Sequence, residues 1–345
     1  MMFRQLFDQA SGTYSYLLAS RRGGEALIID PVLEKVDRYL QLINELDLRL
    51  VKAVDTHLHA DHITGLGALR DRTHCTTVMG EQSKADVISM RLGDGDKLMI
   101  EGLTLDVIYT PGHTDDSYSF ILPDRVFTGD TLLIRGTGRT DFQNGDPRQQ
   151  YESIFGRLLR LPDTMLVYPA HDYKGDTVST IGEEKAYNPR LQIKSVDEYV
   201  TLMSNLKLAS PKMMDVAVPA NMKVGIALDE IGRRGWSLPA GEALALLGKP
   251  DIAFIDLRER AERERHGTIP GALHVPYSTL RENVSAGGML NGLANSTSKR
   301  LLFYCAFGER SAMAVQDAQN AGLESAVHIE GGIDAWKKAG GPLEH

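Results

Sequence analysis

Four side chains that can bind a metal ion occur within six residues, after an apolar run that predicts a strand ending near Asp55. They form the pattern His-Xaa-His-Xaa-Asp-His, at His57, His59, Asp61 and His62. A single histidine is often just a partly buried structural group, but imidazole and carboxylate together are usual ligands of first-row metals. The pattern therefore predicts a fold in which a strand delivers this loop to a metal site.

Three further candidate ligands share this position at the end of an apolar run. They are His113 in TPGHT, Asp130 in FTGDT and His171 in YPAHD. Gly112 and Gly129 precede two of them and permit sharp backbone turns. Because loops at strand ends can meet at one edge of a sheet, we expect all these ligands to converge there.

The residue types leave the number of metal ions open. A two-metal site activates a bridging water for hydrolysis. A mononuclear iron site needs only two histidines and one carboxylate, and leaves positions for O2 and a substrate. His57, His113 and Asp130 can supply that smaller set.

The same motif resembles that of the metallo-β-lactamase superfamily, over about residues 1–225. The resemblance implies an αββα sandwich with the site at one edge of its two sheets. The periodicity of apolar residues predicts helices at Val32–Leu46, Thr64–Arg72 and Gln149–Leu161 within this domain.

The flanking sequence resembles a narrower family, the ETHE1-like persulfide dioxygenases. The matching segments are HADHITG, LLIRGTGRTDFQNG, PAHDYKG, NPR and VPANMKVG. The resemblance implies one Fe(II) per N-terminal domain, held by His57, His113 and Asp130. The remaining four are then interpreted as groups that orient the ligands or a water molecule: His59, Asp61, His62 and His171.

The resemblance also implies a reaction, the oxidation of glutathione persulfide by O2 to sulfite and glutathione. Glutathione carries two carboxylates, so basic or phenolic side chains are expected at the entrance. Arg139 in GRTDF and Tyr173 in HDY are the first candidates, and Arg190 and Lys223 are further ones.

A second reactive centre is predicted at Cys305, which lies between an apolar strand, 301–304, and an Ala-rich helical stretch. The positive end of a helix dipole and loop N–H groups favour a nucleophilic thiolate there. Arg310 is expected to add a fixed charge near an anionic group, and with Cys305 it forms the predicted catalytic pair. Cys75 lacks this context and is interpreted as a buried apolar residue.

This part of the chain resembles the rhodanese family through FIDLRE, HGTIPGALHVPY, CAFGERS and EGGIDAW. The resemblance implies a small α/β domain with a parallel sheet, predicted at 241–342 after a Gly-rich linker at 226–240. The span from Cys305 to Arg310 is one residue shorter than the loop of related phosphatases, which favours sulfur transfer over phosphate chemistry. The other residues of this rhodanese loop are Ala306, Phe307, Gly308, Glu309 and Ser311. Residues 343–345 are interpreted as a tag remnant outside the fold.

Composition excludes several other classes of function. Lys and Arg number 38 against 46 Asp and Glu, a net charge of −8, which argues against nucleic acid or an anionic membrane as a partner. No apolar run approaches the roughly 20 residues of a membrane span, and no signal peptide is recognised. Two distant cysteines exclude a disulfide scaffold and fit a reducing, cytoplasmic location. A homo-oligomer is left open.

Together these features predict a bifunctional enzyme of sulfur metabolism. The rhodanese domain is expected to move sulfane sulfur between thiosulfate and glutathione through a Cys305 persulfide, with sulfite as the other product. Glutathione persulfide made in this way is the substrate expected at the iron site. Two alternatives stay open: a dinuclear zinc thioester hydrolase of the glyoxalase II type fused to a rhodanese, and a non-catalytic persulfide carrier or sensor.

Overall fold

The computed structural model describes residues 1–86, 88–206, 214–223 and 235–345. By its internal contacts the chain divides into two compact units. The first comprises Met1–Asp86 and Arg91–Val224, and the second comprises Val87–Met90 and Gly225–His345. Most of the predicted linker, 226–240, lies outside the described residues, so the domain limits stay a prediction.

The first sheet of the N-terminal unit has six strands in sequential order, β1 to β6. The first three pair in antiparallel fashion, and β3, β4 and β5 are parallel. A 3₁₀ turn at Leu33–Lys35 leads into α1 (Val36–Glu45), and α2 (Leu66–Thr73) follows β4. The strands are β1 Met2–Asp8, β2 Thr13–Ala19, β3 Glu25–Ile29, β4 Arg49–Val54, β5 Thr76–Gly80 and β6 Met90–Leu92.

The second sheet also has six strands, in the order β12-β11-β10-β9-β8-β7. Strands β8 and β10 both run antiparallel to β9, and β11 is parallel to β10. The carboxyl ends of β8, β10 and β11 therefore lie at the same edge, as the sequence predicts. The strands are β7 Lys97–Ile100, β8 Leu103–Tyr109, β9 Tyr118–Leu122, β10 Arg125–Gly129, β11 Leu166–Pro169 and β12 Ser179–Thr180.

In the described part of the chain, α3 follows β10, and three further helices follow β12. They are α3 Pro147–Tyr151, α4 Ile181–Tyr187, α5 Val196–Ser204 and α6 Met214–Asn221. The prediction of one continuous helix over Gln149–Leu161 is wrong, because this region consists of three helical segments of different type. The helix begins earlier, because the Asp146 side chain accepts the N–H groups of Arg148 and Gln149 and Pro147 occupies the first turn. It then continues as a π-helical segment, Glu152–Arg157, and a 3₁₀ turn, Leu158–Arg160.

Alternation along the strands builds two apolar layers in this unit. Phe127 on β10 faces the first sheet, with its ring centroid 5.0 Å from that of Tyr16 on β2 and 5.8 Å from that of Tyr168. Val126, next to it, points the other way and packs with Ile154 under the helices. The result is a sheet-on-sheet core with helices outside, which confirms the predicted sandwich.

The C-terminal unit contains a five-stranded sheet in the order β13-β17-β16-β14-β15, and its neighbouring strands are parallel. Its strands are β13 Ser237–Leu238, β14 Ile252–Asp256, β15 Leu273–His274, β16 Arg300–Tyr304 and β17 Val327–Ile329. Its described helices are α7 Ala240–Leu244, α8 Arg260–His266, α9 Leu280–Val284 (after a 3₁₀ turn, Tyr277–Thr279), α10 Met289–Thr297, α11 Glu309–Asn320 and α12 Gly332–Lys338.

Both faces of this sheet are apolar, as expected when helices cover a parallel sheet on each side. Phe303 belongs to one core cluster and Leu302, the next residue, to the other. The interpretation of residues 343–345 as a tag remnant stays a prediction, but two of them take part in the fold. Leu343 packs against the second cluster, and the backbone of Glu344 exchanges two 2.8 Å hydrogen bonds with that of Thr268. Within the described ranges, no helix has the length and apolarity needed to cross a membrane.

We expect Phe127→Ala to lower the free energy of unfolding of the N-terminal unit by about 3–5 kcal/mol, because it empties a fully buried ring site between the sheets. Hydrogen–deuterium exchange of β2 and β10 peptides in urea measures this unit separately from the other. Met99→Ala on β7, where the side chain is exposed, is the control and should change that value by less than about 0.5 kcal/mol. Equal exchange in both variants would contradict this account of the core.

Candidate metal centre and sulfur-transfer loop

Three of the predicted ligands converge at the edge where the strands end. His57 follows β4, His113 follows β8, and Asp130 directly follows β10. One potential ligand atom from each lies within 4.8 Å of the others, and all three residues are buried. The structure thus brings together the two histidines and the carboxylate that the family resemblance implies as ligands, and their role as the ligand set stays a prediction.

The tautomer of His113 is set by a backbone carbonyl. Its Nδ1 lies 2.7 Å from the oxygen of Arg139, which can only accept a hydrogen bond. Nδ1 is therefore protonated, and in the neutral ring Nε2 keeps its lone pair. That Nε2 lies 3.6 Å from Oδ2 of Asp130.

The tautomer of His57 follows from the hydroxyl of Thr56. This hydroxyl donates its one proton to Oδ2 of Asp30 at 3.0 Å, since a carboxylate can only accept. The 2.9 Å contact between Thr56 Oγ1 and His57 Nδ1 must then be a donation from the ring, which leaves the lone pair on Nε2. Burial, aided by the nearby charge of His59, holds the pKa of His57 well below its ordinary value, so the ring is neutral.

This donor set fits a metal ion. Two imidazole nitrogens and one carboxylate oxygen converge, and the other nitrogen of each ring is already hydrogen-bonded to an oxygen that orients it, as is usual for metal-bound histidine. Two histidines and a carboxylate are also the ligand set of non-haem Fe(II) oxygenases.

The other four candidate residues are organised around Asp61. Its Oδ2 accepts hydrogen bonds from His171 Nε2 at 2.7 Å, from His62 Nδ1 at 2.8 Å and from Thr13 Oγ1 at 3.0 Å. The nearest approach of His59 to this carboxylate is 3.8 Å, from Nδ1 to Oδ1. This second cluster of potential ligands is the reason why the residue types alone allow one metal ion or two.

His171 connects the Asp61 cluster to the metal-binding triad. Its Nδ1 lies 2.6 Å from Oδ1 of Asp130, while its Nε2 is hydrogen-bonded to Oδ2 of Asp61. Burial alone would lower the pKa of His171, but the two carboxylates outweigh it and raise that pKa well above its ordinary value. Because both carboxylates accept hydrogen bonds from this ring, His171 orients Asp130.

Sequence analysis missed two residues that hold the motif loop in place. Asp30 accepts from the Thr56 N–H at 2.7 Å, and its Oδ1 lies 3.1 Å from Nε2 of His59. The Asn221 amide donates to the backbone oxygens of His59 and His62 at 3.0 and 2.9 Å. Asn221 lies in the PANMK segment used for the family resemblance, and Asp30 directly follows an apolar strand, so both positions carried a signal.

The predicted substrate-binding residues differ in their surroundings. Arg139 touches the centre through its backbone oxygen, while its guanidinium pairs with Asp141 at 2.6 Å. Tyr173 is exposed and stacks on His171, with ring centroids 5.9 Å apart. Arg190 donates a hydrogen bond to the Thr137 hydroxyl at 3.1 Å, and Lys223 is exposed. Arg139 and Tyr173 are therefore the two with direct contact to candidate ligand residues.

The predicted sulfur-transfer loop begins at Cys305, directly after β16. The Gly308 N–H donates to its Sγ at 3.1 Å, and α11 begins at the next residue. The EGG motif supports the other side of the loop, because the Ile333 N–H donates to the Cys305 oxygen at 2.9 Å. A Cβ on Gly332 would lie 2.5 Å from that oxygen, so the close approach requires glycine.

Arg310, the predicted catalytic partner of Cys305, pairs with a buried carboxylate, and its catalytic role stays a prediction. Its Nη1 and Nη2 donate to the Glu262 carboxylate at 2.8 and 2.6 Å, and the side chain is fully buried. Its charge is thus balanced inside the protein, and the pair ties α11 to α8. Among the other loop residues, Phe307 is exposed, Ala306 is half-buried, and Gly308, Glu309 and Ser311 are buried.

Comparison with known proteins gives matches to both units. Residues 9–171 match the metallo-beta-lactamase superfamily, and residues 239–339 match the rhodanese-like domain. The chain is 47% identical over 229 residues to the persulfide dioxygenase ETHE1, mitochondrial, of Mus musculus, covering 66% of this chain and 89% of that protein.

Two solved structures are similar to the chain in fold. ETHE1 from Myxococcus xanthus is 54% identical with a TM-score of 0.63, covering 64% of this chain and 98% of that one. A metallo-beta-lactamase from Staphylococcus aureus subsp. aureus COL is 21% identical with a TM-score of 0.61, covering 96% of this chain and 98% of that one. At that identity, the second similarity concerns the fold alone.

We expect Thr56→Val to weaken Fe(II) binding about 10–100-fold, because valine keeps the shape of threonine but removes the acceptor that sets the His57 tautomer. Competition with a chelator under anaerobic conditions measures the affinity. Thr56→Ser keeps the hydroxyl and should bind like the unmodified chain. An unchanged affinity in the valine variant would refute this role of Thr56.

We expect Glu262→Gln to destabilise the C-terminal unit by about 3–5 kcal/mol, because Arg310 would keep a buried charge without its partner. Scanning calorimetry of the full chain measures the loss in the transition of that unit. Glu264→Gln is the matched control. Its ion pair with Arg260 is largely exposed and should contribute about 0.5 kcal/mol or less.

Proposed function

The chain belongs to the ETHE1 family of persulfide dioxygenases and carries a rhodanese domain, and on this premise we propose that it is a bifunctional enzyme of sulfur metabolism. The N-terminal unit oxidises glutathione persulfide with O2 in an Fe(II)-dependent reaction. The C-terminal unit transfers sulfane sulfur between thiosulfate and glutathione. The observation that carries the first half is the fixed tautomers of His57 and His113, which aim two lone pairs toward the Asp130 carboxylate.

The overall oxidation balances with one water molecule. Glutathione persulfide, O2 and water give glutathione, sulfite and two protons, and the outer sulfur loses four electrons to O2. Fe(II), when bound by His57, His113 and Asp130, supplies the redox chemistry for this step. The protein contributes a buried site, two oriented imidazoles and a carboxylate held by His171.

Substrate recognition falls to the residues beside this centre. Tyr173 is exposed next to His171 and offers a phenol to a peptide-like substrate. The Arg139 guanidinium lies over the Phe142 ring at 4.0 Å, and we assign it to a glutathione carboxylate, for which it would exchange its present partner Asp141. Arg190 and Lys223 are assigned to the outer part of the same entrance.

The rhodanese step uses Cys305 as a nucleophile. Its thiolate attacks the sulfane sulfur of thiosulfate, the S–S bond breaks, and sulfite leaves with the bonding electron pair. A glutathione thiolate then attacks the outer sulfur of the Cys305 persulfide and regenerates the Cys305 thiolate. The Gly308 N–H on Sγ supports this proposal, since it stabilises negative charge on the sulfur. The product, glutathione persulfide, is the substrate of the first reaction.

The Asp61 cluster favours one competing function, a dinuclear zinc thioester hydrolase, because it offers ligands for a second ion. Metal analysis of anaerobically purified chain decides between them, together with O2 uptake on adding glutathione persulfide. We expect one iron per chain and O2 uptake. Two zinc ions and thioester hydrolysis without O2 uptake would establish the hydrolase instead, and metal without any turnover would point to a carrier or sensor.

The two activities should separate by mutation. Asp130→Asn removes the anionic ligand and should abolish O2 uptake while sparing thiosulfate:glutathione sulfur transfer. Cys305→Ser removes the nucleophile and should do the reverse. Asp124→Asn and Cys75→Ser are the matched controls, and both activities should persist in them. Loss of both activities from either single active-site variant, in folded protein, would overturn the two-site proposal.

A further inference from the structure

Within the C-terminal unit, a chain of hydrogen-bonding groups connects Cys305 to Ser311, His328 and Ser237. The Sγ of Cys305 lies 3.6 Å from Oγ of Ser311, which lies 3.2 Å from Nδ1 of His328. The other ring nitrogen, Nε2, lies 3.0 Å from Oγ of Ser237. His328 is 1% exposed and has no role in the functions derived so far.

Strand register explains why His328 reaches the loop. His328 on β17 pairs with Phe303 on β16 and with Ser237 on β13, all in parallel orientation. Paired residues of parallel strands point to the same face, so His328 shares the face of Phe303, which packs with Met313 of α11. Cys305 lies two residues beyond Phe303 and belongs to the same cluster.

The proton on Ser311 decides what this chain of groups can do. Its hydroxyl has one hydrogen and three neighbours: Cys305 Sγ, His328 Nδ1 and the Gly308 oxygen at 3.0 Å. If His328 accepts at Nδ1, that hydrogen is used and the sulfur receives none. If His328 donates at Nδ1, the hydroxyl is free to turn from the Gly308 carbonyl to the sulfur once negative charge forms there.

The surroundings of His328 favour donation from Nδ1. Burial lowers the pKa of His328 to about 4, so the ring is neutral and carries one proton. Ser311 Oγ donates its one hydrogen to the Gly308 oxygen, so its contact with Nδ1 is a donation from the ring. Ser237 Oγ can then donate to the lone pair on Nε2.

We propose that His328 is a positioning residue for sulfur transfer at Cys305: it donates Nδ1–H to Ser311, so that the Ser311 hydroxyl hydrogen-bonds to the Cys305 thiolate. The Gly308 N–H supplies a second hydrogen bond to the same sulfur. The charged groups beside the loop, Glu309 and the closed Arg310–Glu262 pair, are the same in every variant used below. The inference rests on the proposed function of Cys305 as the sulfur-transfer nucleophile.

The experiment is an ultraviolet titration of the Cys305 thiolate in the full-length chain, with the titration of Cys305→Ser subtracted. It reads the sulfur directly and needs neither substrate nor access of a reagent to the buried thiol. Removing either His328 or Ser311 as a hydrogen-bonding group should move the midpoint upward by about one pH unit, the value of one hydrogen bond to a charged group. The variants are His328→Leu and Ser311→Ala.

Two further variants separate positioning from structural support. In the double variant the midpoint should move no further than in either single one, because both act through the same hydroxyl. His328→Asn should restore most of the original midpoint, since its amide N–H₂ lies close to the Nδ1 position. Ser237→Ala keeps the imidazole but removes the group that fixes its tautomer, and it should give a smaller upward shift.

The possible results test the positioning role of His328 separately from the proposed sulfur transfer by Cys305. A midpoint that does not move in His328→Leu and Ser237→Ala, or that moves additively in the double variant, overturns the inference even if sulfur transfer is confirmed. Shifts as expected in a chain without thiosulfate:glutathione transfer would overturn the proposed function and keep the hydrogen-bond chain. If His328→Leu fails to fold, Ser311→Ala, Ser237→Ala and His328→Asn still give the test.

Discussion

The metal centre depends on the need to give each buried imidazole a defined hydrogen-bond partner. A buried polar group without a partner is costly, and a ring that may accept or donate at either nitrogen does not present a defined lone pair. The structure resolves this for His57 and His113 with oxygens whose own roles are fixed, the Asp30-bound hydroxyl of Thr56 and the backbone oxygen of Arg139. The geometry of the site follows from these outer partners as much as from the ligands.

The same need for hydrogen-bond partners explains the side chains of the motif that are not among the three proposed ligands. Asp61 accepts hydrogen bonds from His62 and His171. His171, held in this way, uses its other ring nitrogen to orient Asp130. In the superfamily pattern these residues allow a second metal ion. In this structure His62 and His171 donate to Asp61, and His171 also donates to Asp130.

The C-terminal unit positions the Cys305 sulfur, the proposed nucleophile, by similar means. A strand ends at Cys305, a helix begins after Gly308, and one backbone N–H faces the sulfur. The buried guanidinium of Arg310, which follows the loop, is paired with the Glu262 carboxylate through two hydrogen bonds. Both units therefore place reactive atoms on short loops at strand ends, where the sheet behind fixes the backbone and the loop supplies the chemistry.

By itself the sequence determined the sandwich, the parallel rhodanese sheet, the convergence of His57, His113 and Asp130, and the position of Cys305. These rest on local signals, because apolar runs, turn glycines and motif residues are each set within a few positions of the chain. The direction of each ring proton, the role of His171, the pairing of Arg310 with Glu262 and the reach of His328 to Ser311 were decided by the tertiary structure. Apart from the neighbouring pair Thr56 and His57, these contacts join residues 17 to 110 positions apart. Hydrogen-bond partners at such separations depend on packing and strand register, which no local pattern encodes.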